Sequence, residues 1–214
     1  SLWVKITDGV LPSPAYQALF GAKDGSSQVS FAVTNTGGKI EMYVATSSAT
    51  LDNKSSAGVI ADGANDWKHI VATVKWSTAD TGYNLYVDGS LIASKATNDL
   101  TGFTSARNMY IGAFNNGGSV GKPLGGNIDE VSLWNAELTE ANVTAIYNSG
   151  SPIDLSENQG NYDKKDNLQA WWRMGDGTEG ASGTTIYDMS TNSNNGTMTN
   201  MDAATDYETE VPPS

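Results

Sequence analysis

Apolar and polar residues alternate along much of the chain, in short runs that predict β-strands. The clearest example surrounds the Asp88-Gly89 pair, where Leu85 and Val87 share one face of a predicted strand and a second apolar run begins at Leu91. An Asp-Gly pair between two such runs predicts a two-residue turn, because both of its central positions need a positive φ. The pattern therefore predicts a tight antiparallel β-hairpin.

The same alternation returns at intervals of about 8–12 residues, separated by Gly, Pro, Asn and Ser. It predicts strands over Ser1–Ile6, Gln17–Gly21, Gln28–Thr34, Lys39–Thr46, Lys68–Trp76, Asn84–Val87, Leu91–Ser94, Asn108–Phe114, Gly126–Trp134 and Gln169–Met174. The six prolines all lie outside these runs, as they must if the strands use their N–H groups for pairing. We expect an all-β fold, an antiparallel two-sheet β-sandwich of the jelly-roll type.

One short surface helix is predicted over Thr139–Ser149, with Thr139 as the N-cap and Gly150 placed to end it. The following residues, 151–167, are polar and are expected to form a crossover. Residues 168–214 contain one strong strand and Asn/Ser/Thr-rich loops, too little for a second core. We therefore expect a single domain over 1–214, in which 168–214 completes the sandwich and Trp171 and Trp172 send one ring to each face.

Composition narrows the classes of partner. The chain of 214 residues has 24 acidic and 12 basic residues, a formal net charge of −12. A nucleic-acid partner is disfavoured because phosphate binding relies on clustered cations. Membrane insertion is not expected, since no apolar run reaches the ~18 residues of a spanning helix. Without cysteine there are neither disulfides nor thiolate sites. The acidity supplies ligands for Ca²⁺, or serves only to keep the chain in solution.

Several segments together resemble one family. Trp67–Val74 with Tyr83–Gly89 is similar to its central "W-H-H-V-A-V-T" and "L-Y-V-D-G" segments. Asn108–Gly112 and Gly126–Asn135 resemble its closing strands, and Leu138–Val143 resembles its terminal helix. The combination resembles the laminin G-like branch of the concanavalin A-like lectin/glucanase superfamily, over roughly residues 1–150. The resemblance implies a jelly-roll sandwich and a carbohydrate ligand.

A further resemblance is out of its usual order. Leu168–Gly175 with Ile186–Thr197 is similar to the opening strand and loop of many such domains, yet it stands at the C-terminal side here. Either the order is permuted, or this segment begins another repeat, or it pairs with another subunit. This C-terminal segment is also similar to that of virion-associated proteins of marine bacteriophages, which implies a structural alternative.

Catalysis of the glucanase type is not expected. A retaining glycosidase needs two carboxylates about 5–5.5 Å apart, hence acids at alternating positions on one strand face. The chain has no Glu-x-Asp-x-Glu alternation, and Asp129 and Glu130 are adjacent. His69, the only histidine, is interpreted as a core or rim residue.

A structural Ca²⁺ site is predicted in the C-terminal loop. Oxygen donors recur at every second residue, with Asp129 as a candidate partner from elsewhere in the chain. The predicted ligands are Asp188, Ser190, Asn192, Asn194 and Asp129. The alternative is that these residues form Asx-turns without a metal.

A sugar would stack on an exposed aromatic ring, with polar side chains bonding its hydroxyls. Strand alternation predicts an outward row made of Tyr43, Tyr86, Tyr110, Asn84 and Glu41. The alternative is that these tyrosines only form cross-strand pairs.

We therefore predict a non-catalytic module for carbohydrate binding or adhesion, displayed on an extracellular or virion surface, with a glycan or cell-surface polysaccharide as partner. The alternative is a structural virion protein of a bacteriophage (a decoration, fibre or tail component) that contacts other virion subunits or forms a homo-oligomer.

Overall fold

The computed structural model describes residues 1–7, 17–22, 30–45, 50–54, 58–60, 66–75, 81–97, 108–115, 120–174, 181–208 and 211–213. The first eight strands are β1 (Leu2–Ile6), β2 (Gln17–Ala22), β3 (Ser30–Thr36), β4 (Lys39–Ala45), β5 (Thr50–Lys54), β6 (Lys68–Lys75), β7 (Thr81–Val87) and β8 (Ser90–Thr97). The other elements are β9 (Tyr110–Ile111), β10 (Phe114–Asn115), β11 (Val120–Gly121), β12 (Gly126–Asp129), β13 (Val131–Trp134), α1 (Glu140–Tyr147), β14 (Leu168–Trp172), β15 (Ala181–Ser182), β16 (Thr185–Ile186) and β17 (Gly196–Thr197). Parts of the predicted strands at 28–29, 46 and 76 lie outside the described residues.

Two five-stranded antiparallel sheets form the fold. Sheet I has the strand order β12-β1-β6-β7-β8, and sheet II has the order β5-β4-β3-β2-β9. The central core joins apolar residues from both sheets, such as Val4 and Leu85 from sheet I and Val33 and Met42 from sheet II. The predicted all-β sandwich with one short helix is confirmed.

The hairpin between β7 and β8 has the predicted turn. Asp88 and Gly89 have φ values of 48° and 76°, and Val87 pairs with Ser90. The carboxylate of Asp88 also accepts hydrogen bonds from the backbone N–H of His69 (3.0 Å) and from Lys68 Nζ (2.9 Å), which raises the pKa of Lys68. The turn is therefore held against the neighbouring strand β6.

The strand predicted over Gly126–Trp134 is wrong as a single element. Glu130 has φ 50° and separates β12, which pairs with β1, from β13, which pairs with β14. The predicted strand Asn108–Phe114 is likewise divided, at Gly112 (φ 69°), and strand β5 was not predicted. The alternation pattern continues through both corners, so it does not reveal where the backbone turns.

Helix α1 begins as predicted and ends earlier. The Thr139 side chain accepts the backbone N–H of Asn142, and the Asn142 side chain accepts the N–H of Thr139, which is a capping box. The helix ends at Asn148 in the left-handed conformation (φ 44°), ahead of Gly150. Asn142 also donates to Asn161 O (2.6 Å) and Asp163 Oδ1 (3.0 Å), so the crossover 151–167 is attached to the helix.

A second apolar cluster lies on the outer face of sheet I. It contains Val71, Tyr86, Leu138, Val143, Ile146, Leu155, Tyr162, Leu168 and Trp171. Its members come from two strands of sheet I, from α1, from the crossover and from β14. The helix and the crossover therefore cover one outer face of the sandwich; we call this second apolar layer the cover.

Strand β14 contributes to both clusters. Trp171 lies in the cover, whereas Ala170 and Trp172 lie in the central core, as expected for adjacent residues of a strand. Both Trp rings are buried, which confirms that each faces a different layer. The organisation of 1–214 as a single domain stays a prediction.

Candidate functional site

The predicted sugar-binding residues do not form one row. Tyr86 and Asn84 belong to β7 of sheet I, whereas Glu41 and Tyr43 belong to β4 of sheet II. Each of these side chains lies on the outer side of its sheet, because neighbouring residues such as Leu85 and Met42 lie in the core between the sheets. The two groups therefore point away from each other, on opposite sides of the sandwich.

Tyr86 is not available to a ligand. It is only 4% exposed and packs in the cover with Val143 and Ile146 of helix α1. Burial and the charges of Glu140 and Glu137 raise the pKa of its hydroxyl. The expectation of an exposed Tyr86 is wrong, because alternation places the ring on the outer side of the sheet but does not show that a helix covers that side. Asn84, half-buried two residues earlier, loses its predicted aromatic neighbour.

The outer face of sheet II retains an accessible aromatic group. Glu41 and Tyr43 are half-buried on β4, side by side on the face opposite the fully buried Ile40 and Met42. The Thr36 hydroxyl donates to Glu41 Oε2 across the strand pair (3.3 Å). No second apolar cluster of described residues lies over this face. We call Lys39, Glu41 and Tyr43, which share it, the β4 surface.

Tyr110 lies apart from the β4 surface. It is half-buried on β9, at the edge of sheet II, where it pairs with Gly21 of β2. Three strand spacings, or about 14 Å, separate β4 from β9. Between these two strands, Ala18 and Thr34 on the outer face of sheet II are buried, so they offer no surface to a ligand. The structure thus brings Glu41 and Tyr43 together and leaves Tyr110 at a distance.

Sequence reasoning did not select Lys39 for this surface. Its side chain is half-buried and shares a face with Glu41 and Tyr43, since the three occupy alternate positions of one strand. The signal for Lys39 is that spacing, since it stands two residues before Glu41 on the same strand.

The predicted calcium ligands of the C-terminal loop are engaged in hydrogen bonds with the chain. Asp188 Oδ1 accepts the backbone N–H groups of Trp171 (2.9 Å) and Ser190 (2.8 Å), and Oδ2 accepts Ser190 Oγ and the N–H of Asn194 (both 2.8 Å). The amide groups of Asn192 and Asn194 donate to carbonyls of β14, Leu168 O (3.0 Å) and Gln169 O (2.8 Å). This arrangement attaches the loop to β14.

The hydrogen bonds to Asp188 compete with binding of a cation by its carboxylate. Four donors face the two oxygens of Asp188, so a metal ion could reach them only by displacing hydrogen bonds. Asp129 Oδ1 accepts the N–H of Glu130 (2.7 Å) at the corner between β12 and β13. Among the described residues, no three Asp, Glu or His side chains are grouped as a metal would require. The contacts are those of the Asx-turn alternative, and calcium binding stays a prediction.

Glu130 is a buried structural acid. Its carboxylate accepts hydrogen bonds from Trp171 Nε1 and from Arg173 Nε (2.9 Å), and the Arg173 guanidinium lies 5.5 Å from the centre of the Trp171 ring. These two donors hold the carboxylate at the corner of the chain. Glu130 therefore joins β12–β13 to β14.

His69 has the predicted core role. It is 0% exposed, and its ring is tilted against Trp3 (4.9 Å between ring centres) and stacked with Tyr147 (5.9 Å). The Trp3 and Tyr147 rings also contact each other, with 6.0 Å between their centres. Burial lowers its pKa to about 3, and Nε2 forms a hydrogen bond with the Ser1 hydroxyl (2.7 Å). Its Nδ1 has no hydrogen-bond partner in the described part of the chain. The serine and histidine therefore lie beneath the helix, without an acid to orient the ring.

Comparison with known proteins agrees with this architecture. A candidate carbohydrate-binding protein from Bacteroides ovatus is similar in structure, with a TM-score of 0.62 and 20% identity over 92% of this chain. This chain spans half (50%) of the length of that protein. The Ruminococcus gnavus IT-sialidase CBM40, bound to α2,6-sialyllactose, has a TM-score of 0.53 and 19% identity, covering 68% of this chain and 80% of its own. At these identities the likeness shows the fold alone.

A search of curated proteins gives no match. Among the described residues, no helix is both long and apolar enough to cross a bilayer. A family model described as the concanavalin A-like lectin/glucanases superfamily matches residues 1–144, which is most of the sandwich, α1 included apart from its last turn. This chain therefore belongs to the concanavalin A-like lectin/glucanases superfamily.

Proposed function

We propose that this protein is a non-catalytic carbohydrate-binding module and that the β4 surface is its contact with the glycan. The observation that carries the proposal is the half-buried Tyr43 beside Glu41 on the outer face of sheet II, where no second apolar cluster of described residues covers it. The ring of Tyr43 would stack on the apolar face of a pyranose, and Glu41 would accept its hydroxyl groups. The carbohydrate-binding descriptions of the structural neighbours support the same class of ligand.

The proposal of a binding role rather than hydrolysis rests on the arrangement of the acids. Among described residues with described side chains, the buried Glu130 and Asp188 carboxylates are each occupied by donors from the chain. On strand β4 itself, Glu41 shares its face with a lysine and a tyrosine. Glycoside hydrolysis needs two opposed carboxylates, one on each side of the bond to be broken.

Glycan-array binding followed by calorimetry tests the proposal. Tyr43→Ala should weaken binding about tenfold, the effect expected for loss of one stacked ring. Leu91→Ala is the matched control, because Leu91 is 46% exposed on sheet I, and it should bind normally. Folded Tyr43→Ala protein that binds as tightly as the wild type would remove the β4 surface from the proposal.

We also propose that the protein is displayed on an extracellular or virion surface. The alternative is that it is a structural component of a virion. The two roles differ in one measurable respect. A binding module shows glycan affinity as a monomer, whereas a virion component forms stable contacts with its own copies or with other subunits. Stable homo-oligomers without glycan affinity, measured by light scattering alongside the array, would favour the virion role.

A further inference from the structure

Lys39 is the residue of the β4 surface that has no ion pair among the described residues. Its half-buried side chain lies two positions from Glu41 and four from Tyr43, on the same side of the strand. In the part of the chain that the structure describes, it has neither an ion pair nor a side-chain hydrogen bond. A lysine in this position presents three N–H donors outward from the sheet.

A lysine without an ion pair among the described residues is unexpected in so acidic a chain, where 24 acids are present for 12 bases. Four other described basic side chains form ion pairs with acidic side chains. The pairs are Lys68–Asp88 (2.9 Å), Lys164–Asp163 (3.1 Å), Lys165–Glu157 (3.0 Å) and Arg173–Glu130 (2.9 Å). Lys39 differs from these although an acid, Glu41, stands two residues away.

The nearest acid on the strand has another partner. Glu41 Oε2 accepts the hydroxyl of Thr36, the residue that pairs with Lys39 across the β3–β4 hairpin. An ammonium group, a carboxylate and an aromatic ring therefore follow one another along β4 in steps of about 7 Å. These three groups match three features of an acidic sugar, which are its anionic group, its hydroxyls and its apolar ring face.

We propose that the β4 surface binds an anionic glycan and that Lys39 contacts its carboxylate or sulfate group. The inference rests on the proposed function and names the class of its ligand. Lys39 acts as a point charge toward the anion, Glu41 accepts sugar hydroxyls, and Tyr43 stacks on the ring. Selectivity for acidic over neutral glycans comes from Lys39.

Within the β4 surface Glu41 opposes an anionic ligand, and the net charge of −12 opposes it at longer range. At physiological ionic strength the Debye length is about 8 Å, so acids on the far side of the sandwich are screened. A direct contact with a half-buried lysine is screened much less. Binding therefore depends on the local charge of the β4 surface rather than on the net charge of the chain.

The experiment measures affinity for matched glycans that differ by one anionic group. The probes are α2,6-sialyllactose against lactose for a carboxylate, and sulfated against unsulfated galactose oligosaccharides for a sulfate. The wild type should bind the acidic member of at least one pair about fivefold more tightly or better. Lys39→Gln should abolish that difference, and Lys95→Gln, an exposed lysine of sheet I, should retain it.

Glu41→Gln provides a second variant with the opposite sign. Removing its negative charge should strengthen binding of the acidic probe, whereas a merely structural role for β4 would weaken binding in both variants. Circular dichroism and urea unfolding establish that each variant is folded.

The outcomes separate this inference from the proposed function. Equal binding of acidic and neutral probes, unchanged by Lys39→Gln but lost in Tyr43→Ala, would overturn the inference and leave the function standing. Absence of binding to every probe on the array, whatever its charge, would overturn the function as well. A preference confined to the carboxylated or to the sulfated pair supports the inference and identifies the anion.

Discussion

The outer faces of the two sheets have similar sequence patterns, but their outward tyrosines differ in burial. Tyr86 on sheet I and Tyr43 on sheet II each stand on the outer side of a strand, opposite buried residues of the central core. On sheet I the cover buries Tyr86 beneath helix α1. On sheet II, Tyr43 remains accessible beside Glu41 and Lys39. The same residue type in the same pattern thus serves packing on one face and is available for recognition on the other.

The difference shows what determines a binding surface in a sandwich. Alternation decides on which side of its own sheet a residue lies. Whether that side is exposed depends on segments that pack on it from far along the chain, here residues 138–171. The first two of the following experiments test this contrast between a buried and a half-exposed outer tyrosine, and the third tests the loop that packs on β14.

The largest effect is expected from truncating the two tyrosines in turn. Tyr86→Ala removes a buried ring from the cover and should lower the free energy of unfolding by about 3–5 kcal/mol. Tyr43→Ala removes a half-exposed ring and should lower it by less than about 1 kcal/mol. Urea unfolding of both variants measures the contrast. Similar losses for the two would show that the faces are equally covered.

A pH profile reports on the cover through His69. Its pKa is about 3 in the folded protein because of burial, against an ordinary value of 6.5. Between these values the unfolded chain binds a proton that the folded protein does not, so this group's contribution is complete above pH 6.5 and is lost as the pH falls toward 3. From pH 7 to pH 4 the wild type should lose about 3 kcal/mol more than His69→Gln.

The measurement is urea unfolding of both proteins at pH 7, 5.5 and 4. Carboxyl groups titrate in the same range, but they do so in both proteins and cancel in the difference. Parallel pH profiles would mean that His69 is accessible to water, and that the helix does not seal the outer face of sheet I.

The smallest effect is expected from a chelator. Calcium bound at Asp188 would stabilise the folded state, so its removal would lower the melting temperature of the wild type and not of Asp188→Asn. Because four donors already occupy the Asp188 oxygens, we expect the shift to be within about 1 °C. A larger shift, restored by added calcium and absent in Asp188→Asn, would establish the predicted metal site.

Local patterns were sufficient for much of the fold. The Asp88-Gly89 turn follows from its two residues, since few others accept a positive φ at both positions. The start of α1 follows from Thr139, whose side chain satisfies a free N–H of the first turn. The layers of Trp171 and Trp172 follow from the period of two along a strand. Each of these depends on interactions within a few residues.

The candidate site was less predictable, because it depends on contacts between residues that are far apart in the sequence. Tyr86 was expected to be exposed, and the helix that buries it begins more than fifty residues later in the chain. Glu130 was expected within a strand, and it stands at a turn of the chain (φ 50°), where Trp171 of β14 and the following Arg173 hold its carboxylate. The polar spacing of the loop from Asp188 suggested ligands for a metal, whereas the loop donates to β14 instead.

By itself, the sequence determined that this protein is an antiparallel β-sandwich with one short helix, because hydrophobic alternation, turn residues and helix caps act over short distances. The tertiary structure alone decided which of the two outward tyrosines is buried. It did so by placing α1, the crossover and Trp171 over sheet I, a long-range packing choice that leaves no mark in the alternation of either strand. The described residues leave the β4 surface half-buried, with Lys39, Glu41 and Tyr43 in line.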